Sequence, residues 1–524
     1  MQTIYDVAII GYGPVGATLA NFLGKDGWRV AVIDASNEIY AGPRAIHCDD
    51  EAQRIWQDAA VLRFVRPSLG DYPPVRQFIN ANGQVYFETY VSPDQTFGYP
   101  GHACVHQSSL EVGLRQGASR YAEVETFLGV QAESLTQDSD LVTIQTVEQE
   151  TGETGQIQAR YVVGCDGVDS FVRRAVGLEV TDLKFDQTWL ITDFCLKRGV
   201  TPTDIGLPNA HQQISDPDRP INFIPYQGKN RFRFEFMLVD GVTKEEAAQN
   251  SYIEERLRDV IDREKIDLVS AAVYKYGAQI AERWRNGRVF IAGDAAHQMP
   301  PFAGQGMCSG LRDVQNLSWK LSLVLSGAAG DRLLDSYEDE RKPHVSRMIK
   351  GSIFLGNLSQ PKNPLRAWGR DLLFRTGFNV PSMMGQVDGF GLGVPSLESN
   401  LRIGWIPEVV GSWFIQPQVT DAAGKTYLLD KLLGPGFSVL GYGVDPSPYF
   451  NAAESQLPVR CLTIGTGSAA VRGDVFDSTG ALAKWFRAHQ TDFVVIRPDR
   501  FVMGAYSRAH ISNAADELVE HLNA

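Results

Sequence analysis

Short apolar runs, each closed by a glycine-containing polar turn, recur along the chain. Residues 7–10 (Val-Ala-Ile-Ile) and 30–33 (Val-Ala-Val-Ile) are four-residue, β-rich runs, the pattern of strands buried on both faces. Residues 17–23 between them have helical character. The same motif of strand and polar turn returns at 160–164, which ends on Cys165-Asp166-Gly167, and at 288–292, which ends on Gly293-Asp294. Helices are expected over 311–325 and 335–350. This is the patterning of an α/β sheet with ligands beyond the strand ends.

Other stretches read differently. A charged helix is expected over 49–60, and a hairpin over 77–87 with Asn82-Gly83 as its turn. Ser108 or Ser109 can cap a helix running to about 121. Residues 130–147 give two strands, and a helix starts after Ser170. The middle alternates strands (189–196, 222–225, 231–239, 268–276) with long loops and one helix over 244–262. Arg231-Phe232-Arg233-Phe234-Glu235-Phe236 alternates strictly, which predicts a strand with one buried face. Residues 351–411 read as loops and short helices. A last segment carries strands at 437–441, 459–465 and 492–498, with a helix over 481–489. The expected organisation is a discontinuous nucleotide-binding domain (1–74, 100–178 and 280–350), into which a mostly antiparallel sheet domain is inserted (75–99 and 179–279). A linker region (351–411) and a C-terminal domain (412–524) follow.

The first forty residues carry chemistry. Gly11, Gly13 and Gly16 stand at GxGxxG spacing between the first strand and helix, with Pro14 and Val15 inside the turn. Gly11 suits a tight turn, Gly13 a close approach to pyrophosphate, and Gly16 close packing of helix on strand. The helix start offers unpaired N–H groups to phosphate. Asp34, about twenty residues on, is placed to accept from ribose hydroxyls. The fingerprint does not separate FAD from NAD.

Length and charge narrow the field. A chain of 524 residues suggests roughly two to four domains. With 49 basic and 62 acidic residues the formal charge is −13, which argues against a nucleic-acid surface. No run of eighteen apolar residues suggests a membrane span, and the early first strand leaves no room for a signal peptide. Cys48, Cys104, Cys165, Cys195, Cys308 and Cys461 are scattered without CxxC or zinc-ligand spacing. Free thiols, a cytoplasmic location and no metal are expected.

The combination of GxGxxG, Cys165-Asp166-Gly167, Gly293-Asp294-Ala295-Ala296-His297, Pro300 and Gly304-Gln305-Gly306 resembles the class A flavoprotein aromatic hydroxylases. The likeness continues through Arg312-Asp313, Asn316-Leu317 and Trp319-Lys320-Leu321. Pro43-Arg44-Ala45-Ile46, Phe414-Ile415-Gln416-Pro417-Gln418 and Val494 to Arg500 resemble the 3-(3-hydroxyphenyl)propionate hydroxylase branch. The resemblance covers nearly the whole chain. It implies a Rossmann-like FAD-binding domain, an inserted β-sheet substrate domain and a thioredoxin-like C-terminal domain. It also implies non-covalent FAD with NADH or NADPH as co-substrate. Gly11, Gly13, Pro14, Val15 and Gly16 would hold the pyrophosphate and Asp34 the adenosine ribose. Arg44 and Gln107 would lie near the pyrophosphate and ribityl chain, and Asp294 would accept from a ribityl hydroxyl. Pro301, Gly304, Gln305, Gly306 and Met307 would meet the flavin ring. Asp166 and Arg173 match a segment linked to FAD and nicotinamide binding. The implied reaction uses O2 and a C4a-hydroperoxide to hydroxylate a phenol ortho to its hydroxyl. A small-molecule phenol is the expected partner, and a homodimer is left open.

On this resemblance, His47 is the candidate catalytic and substrate-facing side chain. Tyr226, Arg233 and Tyr274 are candidate substrate contacts, each weighed against ordinary sheet packing. His297 reads as structural. Cys308 stands where relatives carry Asn, so a side-chain role in flavin contact is not expected of it. The best single substrate is a 3-(3-hydroxyphenyl)propionate-like acid. Alternatives are the same chemistry on a hydroxyquinolone, resorcinol or polyketide, a flavin oxidase or dehydrogenase without oxygen insertion, and a non-catalytic flavin-binding redox sensor.

Overall fold

The strand Ile4–Ile10 is the centre of the first sheet. It pairs in parallel with Val30–Asp34 on one side and Thr154–Gly164 on the other, and Thr154–Gly164 pairs in parallel with Val289–Ile291. The register sets Ile10 beside both Ile33 and Gly164, and Gly164 beside Ile291. Three glycine-containing turns and Asp34 therefore emerge side by side at one edge. The computed structural model describes residues 3–226, 230–238, 242–258, 261–361, 363–375, 395–454, 457–465 and 473–523.

The helix Pro14–Lys25 packs on this sheet and against the helix Gly306–Ser326. Several elements are longer than the sequence suggests. The third strand starts at Thr154, because Val142–Glu148 pairs antiparallel with its exposed first half. The helix expected over 335–350 runs Ser336–Ser359. The helix expected to be capped by Ser108 or Ser109 starts at Gln107, with His106 at the cap position and its Nδ1 2.7 Å from Ser109 Oγ.

Among the described residues the second sheet has eight strands and is mostly antiparallel. Its spine is the pair Val180–Leu196 and Ile266–Ala281. The hairpin Val75–Ile79 and Val85–Tyr90 joins its far edge by parallel pairing with His211–Ile214. The hairpin turn is a wider loop than the Asn82-Gly83 pair predicts. Asn80 Oδ1 accepts from the N–H groups of Asn82 and Gln84, and Gly83 takes φ +74°.

The alternating strand Arg231–Met237 corrects one expectation: both of its faces are buried. Phe232, Phe234 and Phe236 pack with Phe194, Phe223, Ile253 and Leu257. Arg233 and Glu235 face inward as well, toward a large cavity. The helix expected over 244–262 is two short helices, Lys244–Ala247 and Asn250–Leu257. Thr243 and Glu246 form a capping box on the first, and the extended backbone of Gln249 starts the second.

The third sheet, from Gln418–Asp421 to Val502–Tyr506, is mixed. Buried ion pairs clamp it to the rest. Arg54 donates two bonds of 2.7 Å to Asp430 and one of 2.6 Å to the Phe414 carbonyl. Glu340 accepts from Arg497 at 2.6 and 2.9 Å and from Lys320 at 2.8 Å. Such pairs fix one docking geometry more than they add stability. Part of the region expected as loops, 376–394, lies outside the described residues.

Candidate active site

A cavity of about 1370 Å³ lies between the strand-end edge of the first sheet and the polar face of the second. Its first end is backbone. Gly11 has φ +102°, and a Cβ there would sit 2.4 Å from the Cys165 carbonyl oxygen. A Cβ on Gly16 would sit 2.0 Å from the Gly11 carbonyl oxygen, whereas one on Gly13 would meet nothing within 4 Å. Gly11, Gly13, Pro14 and Val15 line the cavity, and Gly16 packs behind them. The helix that follows has no acid in its first turn and no side-chain cap. Its N–H groups are left for an anion.

Asp34 lines the same end. Its carboxylate accepts from the N–H groups of Tyr12 (2.7 Å) and Ser36 (2.8 Å), which fixes its orientation. Arg44 also lines the cavity, with its guanidinium 4.5 Å from the Tyr40 ring centre. Gln107 lines the wall with its amide already used. It accepts from Ala45 N–H and donates to Glu111, both at 2.8 Å.

Asp166 caps the helix Phe171–Ala175, accepting from Ser170 Oγ (2.6 Å) and Val172 N–H (2.9 Å). Arg173 stands outside the cavity wall, contrary to its reading as a cofactor residue. Its guanidinium donates to the carbonyls of Ala295 and Val168, both at 2.8 Å, tying the Asp166 turn to the Gly293 turn. Arg174 lines the cavity in its place.

The third turn supplies Asp294. It is exposed and lines the cavity, and its carboxylate has no hydrogen-bond partner among the described residues. Desolvation among the surrounding groups raises its pKa. Behind it, buried Asp313 accepts from Gly293 N–H (3.1 Å), His297 Nε2 (2.6 Å) and Arg341 Nε (2.9 Å). His297 therefore fixes the turn. Pro301, Gly304, Gly306 and Met307 line the cavity where the helix Gly306–Ser326 begins, again without an acid or a side-chain cap in its first turn. Gln305 instead turns inward and accepts from Arg312 Nη1 at 2.9 Å. Cys308 is buried behind them. Burial raises its thiol pKa, so it holds no thiolate.

These donors suit FAD. The open side of Gly13 and the uncapped helix start at Pro14 would hold the pyrophosphate, and the partnerless carboxylate of Asp294 a ribityl hydroxyl. The uncapped helix start at Gly306 would face the ring edge that becomes anionic on reduction.

The far end is built from side chains. His47 Nε2 lies 2.8 Å from His102 Nδ1, and Tyr72 Oη lies 2.5 Å from His211 Nδ1. The His47 and Tyr72 rings meet edge to face at 5.5 Å. Burial lowers His47 to about 4 and His102 to about 3, and His211 well below its ordinary value. Burial raises Tyr72. At neutral pH this cluster is uncharged. Arg76 lines the wall beside it and donates to Gln213 Oε1 at 3.0 Å.

Of the sequence candidates, His47, Arg233 and Tyr274 line the cavity. Arg233 is committed elsewhere: Nε and Nη2 donate to Asp193 at 2.7 and 2.9 Å, and Nη1 donates to the Arg44 carbonyl at 2.5 Å. It acts as a strut between the sheet and the Arg44 loop. Tyr274 hydrogen-bonds Tyr40 Oη at 3.0 Å. Tyr226 is not in the wall; at its strand's end it packs against Tyr72 and Cys104. Tyr72, Arg76, His211, Asn222 and Glu235 line the cavity without being singled out by the sequence. Apart from Tyr72, which lies in a loop, their one signal is polar residues at alternate positions of β-rich runs. Among the described residues no helix is long and apolar enough to cross a membrane, and no group of three His, Cys, Asp or Glu side chains could hold a metal.

Known proteins resemble this chain along nearly its whole length. The FAD binding domain family matches residues 4–352, and the HcaD C-terminal domain family matches residues 411–521. A 3-(3-hydroxy-phenyl)propionate/3-hydroxycinnamic acid hydroxylase of Mycobacterium sp. is 34% identical, over 96% of this chain and 89% of that protein. A probable NADH-specific resorcinol 4-hydroxylase of Rhodococcus jostii is 33% identical, over 98% of this chain and 94% of its own. Among solved structures, aklavinone-11 hydroxylase with FAD and aklavinone superposes with a TM-score of 0.80, at 21% identity and full coverage of both chains. The flavin-dependent monooxygenase PieE with FAD and substrate gives 0.81, at 20% identity and 99% of each chain. The chain belongs to the FAD-dependent aromatic hydroxylase family and is a flavin monooxygenase.

Proposed function

We propose that the protein hydroxylates a phenolic aromatic acid ortho to its hydroxyl, using O2 and NADH or NADPH. The leading substrate is a 3-(3-hydroxyphenyl)propionate-like acid. One observation carries the reading: an uncharged His–His and Tyr–His cluster shares the cavity with the helix start at Gly306. FAD, held by the backbone at Gly13 and Gly306 and by Asp294, would supply the redox chemistry as hydride acceptor and activator of O2.

The chain's own groups prepare the ring. A phenolate is a far better nucleophile than a phenol, so removal of one proton is the protein's main chemical task. In the resting tautomer His47 Nδ1–H faces the Gly304 carbonyl oxygen at 3.4 Å and Nε2 accepts from His102 Nδ1; a shift of the pair to the other tautomer, with the His47 proton on Nε2, makes Nδ1 an acceptor. His47 takes the phenol proton there while the Nε2 proton passes to His102 Nδ1, 2.8 Å away. His102 is only partly buried, so the charge is carried toward solvent. The Arg76 guanidinium at the same end of the cavity stabilises the phenolate or a substrate carboxylate. Met299 and Phe302 give that end an apolar wall that limits water.

A neutral ring such as resorcinol is the second reading. It is favoured by the wall of Arg233 and Glu235, where the guanidinium is already held by Asp193.

The test is turnover under ¹⁸O2 with 3-(3-hydroxyphenyl)propionate, with the product analysed by mass and NMR. One ¹⁸O beside the original hydroxyl is expected. NAD(P)H oxidation that yields only peroxide with every phenol would overturn the reading.

A further inference from the structure

Residues 35–46 join the strand Val30–Asp34 to the strand His47–Asp49 with no helix or strand of their own. Ala35, Ser36, Glu38, Tyr40, Ala41 and Arg44 are exposed and also line the cavity. The segment is therefore a strap along the rim at the nucleotide end. Both of its ends are tied down. Ser36 N–H donates to Asp34 at one end; at the other, Ala45 N–H donates to Gln107 and Arg233 donates to the Arg44 carbonyl. Between them, among the described residues, no backbone–backbone hydrogen bond holds residues 37–43. A stretch held by side chains alone opens at low cost.

Tyr40 carries that hold. Its carbonyl accepts from Ser108 Oγ at 3.0 Å, on the nucleotide-domain side. Its hydroxyl accepts from the Tyr274 hydroxyl, also at 3.0 Å. Tyr274 belongs to the strand Ile266–Ala281 of the second sheet. The cavity lies between the two walls that these tyrosines come from, so their contact bridges its mouth. The Tyr40 ring reaches across by folding over Gly42, where a Cβ would sit 2.2 Å from Tyr40 Oη.

We propose that the Tyr40–Tyr274 contact is a latch, and that the strap it fastens gates the exchange of FAD. FAD bound at Gly13 and Asp34 passes this rim to enter or leave, and the latch parts first. The latch is made between protein groups, so its loss weakens the closed form equally with and without FAD. Both rates then rise and the affinity hardly changes. The inference depends on FAD binding and not on which ring is hydroxylated.

The test measures both rates by flavin fluorescence. Stopped-flow mixing of the apoprotein with FAD gives association, and dilution of the loaded enzyme gives release. Tyr40→Phe and Tyr274→Phe each delete one hydroxyl and keep the ring. In each, both rates are expected to rise about three- to tenfold, the worth of one hydrogen bond, with the Kd within about twofold of wild type. The double variant is expected to match the single ones, because the two hydroxyls act through one contact. Gly42→Ala, which pushes the Tyr40 ring aside, is expected to give the same acceleration. Unchanged rates would overturn the inference. So would a change in one rate alone, which would make the tyrosines contacts of FAD itself, or a double variant in which the two effects multiply. If a phenylalanine variant does not fold, Gly42→Ala decides by the same criteria.

Discussion

His47 Nε2 sits 2.8 Å from His102 Nδ1, joining a residue of the cavity wall to one that is only partly buried. A single proton on this contact makes the pair a path along which charge can leave a closed site. His102→Phe should leave ligand binding within about threefold and slow hydroxylation by about 10- to 100-fold. The slowing should ease as pH rises and the phenol ionises without help. Turnover against pH for wild type and variant checks this. A pH-independent loss would point to packing damage instead.

The same burial has a cost in acid. His47 titrates near 4 in the folded chain against an ordinary 6.5, with burial the main cause. Asp49 opposes the shift, while Arg76 and Arg312 add to it. Between these values the unfolded chain binds the proton and the folded chain does not. Stability therefore falls as pH drops from about 6.5 to 4, by about 3 kcal/mol from His47. Urea unfolding at pH 7.0, 5.5 and 4.5 should show progressive loss, and His47→Gln should flatten part of the slope.

Arg233, on the cavity wall, forms a buried pair with Asp193. Asp193→Asn removes the charge that balances the guanidinium and should cost about 3–5 kcal/mol. Arg233→Met, which removes the cation, leaves Asp193 exposed to the same penalty, so the double variant Asp193→Leu with Arg233→Met should be milder than either single change. Thermal unfolding of the three variants measures the coupling.

Asp294 presents a carboxylate to the cavity without a partner from the protein among the described residues. Asp294→Ala should weaken FAD by about 10- to 100-fold, the worth of a hydrogen bond to a charged group. Gly16→Ala should be worse, because its Cβ would lie 2.0 Å from the Gly11 carbonyl oxygen and force the helix off the strand. Fluorescence titration of the apoprotein with FAD distinguishes the two outcomes: weakened binding for one, little folded protein for the other.

The nucleotide end of the site was legible because it is made of backbone. Glycine spacing, a short strand and a helix start dictate a phosphate cradle locally, and Gly11, Gly13, Asp34 and Asp294 all line the cavity. Arg173 and Gln305 lie in the right segments but face away, because each found a nearer partner, Ala295 and Val168 for one and Arg312 for the other. The substrate end was largely illegible. Arg76, His211 and Asn222 come from separate strands and Tyr72 from the loop before Val75, and only long-range register brings them together. The alternation at Arg231 to Phe236 gave the right strand and the wrong surroundings. Period two reports two different faces, but not whether the polar one meets water or a cavity. The clamps Arg54–Asp430 and Glu340–Arg497 join residues far apart in sequence and leave no local signal.

The most direct measurement is NADH and NADPH oxidation by the FAD-loaded protein, with product and peroxide both quantified. Assays would contain 3-(3-hydroxyphenyl)propionate, 3-phenylpropionate or no addition. The phenol should speed oxidation at least about tenfold over 3-phenylpropionate and yield close to one hydroxylated product per nicotinamide, with little peroxide. Equal rates with and without the phenolic hydroxyl, or peroxide as the sole product across hydroxylated rings, would contradict the account.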